Sequence, residues 1–338
     1  MAREGKPWLI MPPIFPTMRL TQPLFLSYYV PYRAWLEFGS IRFPLSLGTR
    51  VDRIAAREGY LGHTFPTSNH AVVLLDRTAE TAANDLWPAL SNPTGVILPA
   101  HARALGPSVR DELISRFGED AFAALVETAE VRRRLIEVVY EINERTSCSH
   151  FTMFQVPLRG YDSDELERMQ RWIQPVGDCA AITGAEHQLL NEISRQLGRT
   201  PGLREGIQSL TAAMARTVAV HEIRHVMDGA QPVECSECPS YLDEQSIREL
   251  SAYSAEIAHG DLPMTAFFQV CHYLHMEDRN TPHARALRFL TTSLGECGNY
   301  PPSDFADQAR QLDLRLFGER EVIPLPEDFP TRLRTRDY

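Results

Sequence analysis

Lysine is nearly missing from this chain: Lys6 is the only one among 34 basic residues, and the rest are arginines. Acidic residues outnumber basic ones by 44 to 34, leaving a formal net charge of -10. Phosphate neutralisation needs clustered Lys and Arg, so nucleic acid is excluded as a general partner. The densest basic run, Arg132-Arg133-Arg134, reads as a solvated helix face. The scarcity of lysine fits the codon bias of a GC-rich bacterial genome. No window approaches the roughly 20 apolar residues of a transmembrane segment. The opening stretch MAREGKPWLIMPPIFPTM is broken by prolines before any long apolar core, which excludes an ordinary signal peptide there. A leader already removed would place the protein in the periplasm or outside the cell; otherwise the expectation is cytoplasmic. There is no internal repeat and no low-complexity tract.

What remains is an ordinary globular composition, 43% hydrophobic and 23% charged over 338 residues. That length builds one large domain or two moderate ones with a real core. Six cysteines, at 148, 179, 235, 238, 271 and 297, allow disulfides in an oxidising compartment or free thiols in a reducing one.

Residues 1–70 are rich in proline and aromatics without a sustained period, which predicts irregular structure with short extended pieces. HAVVLLD (70–76), TGVILPA (94–100) and SHFTMFQVPL (149–158) read as short strands bounded by turn residues. From about 107 the apolar spacing turns helical, interrupted near Gly118-Glu119-Asp120. Further helices are expected over 162–174 and 183–197, then 206–229, 244–260, 263–278 and 281–297. The tail from Pro324 is polar and proline-rich, and reads as surface-bound or loose. The regions are 1–105 with short strands, 106–300 helical, and 301–338 as a final helix and tail, together one unit.

The chemistry concentrates in HEIRH, residues 221–225, inside the long helical stretch. Positions i and i+4 of a helix share a face, so His221 and His225 can hold one ion while Glu222 reaches a water on it. Chance predicts roughly 0.03 such pentads in a chain of this composition. Val218, Val220, Val226 and Met227 around the pentad make the helix a buried one, where unpaired polar side chains would be costly. A catalytic zinc takes three protein ligands and leaves one position open. The third is sought on the following helix, where Glu249, Ala252, Tyr253 and Glu256 share a face. Glu249 is favoured, with Glu256 as the competitor, and small Ala252 would let the two helices approach closely.

HEIRH followed by ELSAY (249–253) resembles the pattern of gluzincin-type zinc metallopeptidases. The resemblance implies a predominantly helical α+β zincin-like domain holding Zn2+ on His221, His225 and Glu249, with Glu222 as general base and a peptide or protein substrate. Asp228 matches an acidic supporting residue in the neprilysin-like branch. Tyr253 departs from the pattern, standing where the family usually has Asp or Asn. The resemblance covers about 40 residues.

Other groups carry further expectations. His272 or His275 could donate to an oxyanion. Cys235 and Cys238 could join Cys271 and Cys297 in a structural zinc site or in disulfides between the loop and the following helices, or all four could be free thiols. The pairs Glu222/His225 and Glu256/His259 have the spacing of a di-iron carboxylate protein, an oxidase or oxygenase, although too few residues separate them for the usual bundle. A non-catalytic zinc-stabilised binding protein is the other alternative. A substrate strand would add to a sheet edge, with HAVVLLD or FTMFQV as the platform.

Overall fold

Five strands make one sheet in the order β1-β2-β3-β5-β4. They are β1 (Trp8–Met11), β2 (Leu26–Phe38), β3 (Ile41–Arg50), β4 (Gly62–Phe65) and β5 (His70–Leu74). The computed structural model describes residues 8–11, 26–50, 61–65, 69–91, 98–146, 183–276 and 280–333, and all structural statements concern these. The expected strand at 149–158, the expected helix at 162–174, Cys148 and Cys179 lie outside them.

The N-terminal region is more regular than its prolines suggest. β2 and β3 form a long antiparallel hairpin, and the register slips between Tyr29 and Tyr32. Pro31 sits at that slip, a bulge where a missing N–H costs no ladder bond. Pro44 faces Trp35 just before β3 begins to pair with β5 at Leu45. β5 runs parallel to β3 and antiparallel to β4, so it is bonded on both sides. The apolar stretch at 70–76 is therefore a strand only to Leu74; a helix opens at Leu75. The expected strand at 94–100 does not form at its described end, because a helix (Ala100–Phe117) starts there and carries Pro107 inside it.

The remainder is helical. The central helix, Leu203–Ala230, is buried nearly all round from Gly206 to Asp228, polar residues included, because it is packed on every side. One side, including Ala212, Ala215, Ala219 and Ile223, meets Phe43, Leu45, Leu47, Ala71 and Val73 of the sheet. Its alanines let the backbones come close. The opposite side joins a larger core shared with the helices Glu244–His259, Pro263–Met276, Pro282–Leu294 and Phe305–Phe317. The segment beyond Phe317 is not loose over its described part: Phe329 and Leu333 are buried against the central helix and sheet, and the Leu333 N–H donates to the Gln208 carbonyl at 3.1 Å. None of the described helices is long and apolar enough to cross a membrane.

Candidate metal centre

The central helix stacks His221 over His225, and the helix Glu244–His259 brings Glu249 to them. Asp243 caps the second helix, accepting from the Ser246 N–H at 2.8 Å, and thereby sets its start. Small buried residues on it, Ser251, Ala252, Ser254 and Ala255, allow the close approach. The Nε2 atoms of His221 and His225 are 3.1 Å apart, and Glu249 Oε2 lies 3.7 and 3.4 Å from them. Donors around a tetrahedral zinc at ~2.0–2.2 Å stand about 3.3 Å from one another. The triad has that spacing, and among the described residues no other group of three gathers its ligand atoms within 4.8 Å.

Glu256 is not the third ligand. Its Oε2 lies 3.3 Å from Nδ1 of His221, on the far side of the ring from the triad. That is the position from which a carboxylate fixes the tautomer and orientation of a ligating histidine. Tyr253 supports the same imidazole differently, with ring centres 4.4 Å apart and an edge-on contact. His283, on the helix Pro282–Leu294, points Nε2 at Glu249 Oε2 from 3.1 Å and lines the cleft.

Glu222 is held by a strand that was not read from the sequence. Thr64 Oγ1 of β4 lies 2.7 Å from Glu222 Oε2 and 3.0 Å from the Glu222 carbonyl, so its hydroxyl donates to one of them. Gly62, two residues earlier on the same face, makes the approach possible. A Cβ there would stand 2.5 Å from Glu222 Oε1 and 2.8 Å from Val218 Cγ1. Terminal strand β4, and not doubly bonded β5, is thus the sheet edge at the site; the FTMFQV platform lies outside the described residues.

The electrostatics follow from burial among carboxylates. Burial pushes Glu222 up to about 7, against the opposing pull of His225 and the Thr64 hydroxyl. Burial likewise lifts Glu256 to about 8. Burial and the neighbouring His225 hold His221 well below the ordinary range, in its neutral, ligand-competent form. Burial disfavours charge on Glu249, but hydrogen bonds and charges of His225 and His283 outweigh it and keep the carboxylate ionised. Burial also opposes charge on His225; Glu249, Glu222 and Asp228 reverse that and raise it to about 9.

Other expected residues fall elsewhere. Asp228 reaches Arg320 Nη1 at 2.7 Å, so its effect on His225 is a matter of charge and not of a direct bond. His259 Nε2 is 2.8 Å from Asp313, which takes it out of any pairing with Glu256 and dismantles the di-iron arrangement. His272 and His275 stand beside His101, on the face of their helix turned away from the cleft. Cys235 is bonded to Cys238 and Cys271 to Cys297, so neither a four-cysteine zinc site nor a loop-to-helix bridge forms.

The triad lies in a cleft of about 1070 Å³, bordered by β4 on one wall and by Tyr253, Tyr273 and His283 on the other. A divalent ion with N and O donors fits this set: two imidazoles, one ionised carboxylate and an open side. Sequence reasoning missed Thr64, Gly62 and His283. GHTF is too short to announce a strand, and His283 differs in sequence from no other histidine near a helix start. Comparison of the chain with protein-family models, curated proteins and solved structures found no match.

Proposed function

We propose that this chain is a zinc-dependent hydrolase, a zincin-like metallopeptidase acting on a peptide or amide bond. The observation that carries the reading is the zinc-like spacing of His221, His225 and Glu249 with Glu222 beside them in an open cleft. Zinc held there would polarise the scissile carbonyl and lower the pKa of a bound water toward ~7. Glu222 then takes the water proton and returns it to the leaving amine, its carboxylate aimed by Thr64. His283, on the cleft wall, donates from Nε2 to Glu249 and holds that carboxylate beside the two imidazoles. An extended substrate adds to β4, whose backbone supplies ladder bonds while Gly62 leaves room beside it for the Glu222 carboxylate.

Glu222→Gln tests the reading. The variant is expected to keep one zinc at the triad, by metal analysis, and to lose at least about 100-fold in hydrolysis of a peptide library. Unchanged hydrolysis removes the general-base role. A wild-type protein that binds zinc and cleaves nothing supports a zinc-stabilised binding protein instead.

A further inference from the structure

The helix Pro263–Met276 has two working faces. Gln269, Tyr273 and Met276 line the cleft, while Phe268, His272 and His275 look the other way, toward His101 at the start of the helix Ala100–Phe117. His101 is only 4% exposed, and its Nε2 is buried with no hydrogen-bond partner. Its ring centre lies 5.6 Å from that of His272 and 5.3 Å from that of His275. Two imidazoles on one tetrahedral ion, with metal–nitrogen distances of ~2.0–2.1 Å, have ring centres about 5 Å apart. Asp85 Oδ2 is 3.3 Å from His272 Nε2. A carboxylate there keeps the proton on Nε2 and leaves the Nδ1 lone pair for a ligand, the arrangement common behind metal-bound histidines. Asp85 is presented by a single π-helical turn, Ala82–Leu86, a form frequent at functional sites.

We propose that His101, His272 and His275 form a second site for a borderline transition-metal ion such as Zn2+, with Asp85 orienting His272. All-imidazole donors suit zinc, copper or nickel and disfavour calcium or magnesium. The ligand atoms of the three do not lie within 4.8 Å of one another as they stand, so binding requires a side-chain rotation, which exposed His275 is free to make. His275 also gives the ion a path from solvent. The site does not depend on the hydrolase reading, because it shares no residue with the triad.

The test is zinc stoichiometry of the full chain, stripped of metal and titrated with Zn2+, with Co2+ absorption as a second readout. Wild type is expected to bind two equivalents. His275→Gln, at an exposed position that leaves the core untouched, and His101→Gln should each bind one, and His221→Gln/His225→Gln should also retain one. The proposal is overturned if the His221→Gln/His225→Gln protein binds no zinc, or if His275→Gln and His101→Gln each bind as many equivalents as wild type; a wild type binding one equivalent that the His221→Gln/His225→Gln protein keeps would instead remove the triad.

Discussion

The two sides of the central helix treat buried charge in opposite ways. Toward the helix Phe305–Phe317 and the segment after it, Arg224 and Asp228 each meet an opposite charge. Arg224 lies 3.5 Å from Asp313, which His259 also approaches, and Asp228 lies 2.7 Å from Arg320. Toward the cleft, Glu222, Glu249 and Glu256 have His221, His225, His283 and the Thr64 hydroxyl as their close partners, and none of the three is ion-paired to an Arg or Lys among the described residues. Buried charge without a partner is expensive, so burial raises Glu222 and Glu256 to about 7 and 8 while Glu249 relies on His225 and His283. A cation entering from outside would supply what the rear pairs already have. The rear pairs hold the helix in place.

The sharpest way to break this contrast is to change the front carboxylates one at a time. Glu249→Gln is expected to weaken zinc binding by more than about 100-fold, whereas Glu256→Gln, acting through His221, costs about 10–100-fold. Competition with a chromogenic chelator reads both, and equal losses would erase the distinction between ligand and support. On the rear, Asp313→Ala leaves Arg224 buried without its anion and is expected to cost about 3–5 kcal/mol in denaturant unfolding. Zinc stoichiometry should stay unchanged; a loss of zinc with intact stability would show the two sides to be one network. The smallest stability effect is expected from Gly62→Ala, about 1–3 kcal/mol from overpacking against Glu222 and Val218. Its hydrolysis should fall further than its stability implies, because the new methyl group displaces the Glu222 carboxylate from Thr64. Activity unchanged from wild type would detach β4 from the chemistry.

Much of the helical half could be read directly. HEIRH announced its own geometry, since helical spacing alone puts His221 and His225 on one face, and Gly229 marked the end of the helix to within a residue. Spacing also favoured Glu249 over Glu256, and the structure puts Glu249 beside both Nε2 atoms and Glu256 behind His221 at Nδ1. The sheet was harder to see. Pro31 and Pro44 looked like breaks, yet one sits at a bulge and the other where β3 has no second neighbour. Thr64 and His283 reach the site through long-range packing that no local pattern encodes. The cysteines were ambiguous for the same reason: partner choice is set by the fold, not by the count.

The segment from Arg320 to Leu333 has a consequence for the order in which the protein is made. It is tied to Asp228 at one end and to Gln208 at the other, so it runs back along most of the pentad-bearing helix. During synthesis that helix leaves the ribosome long before its last neighbours do, and until then Asp228 has no Arg320 and the apolar groove under Phe329 lies bare. Domains whose closing contacts are this distant in sequence settle late. A candidate metal centre assembled in this way stays unfinished while its own chain is still a loose, cleavable polypeptide.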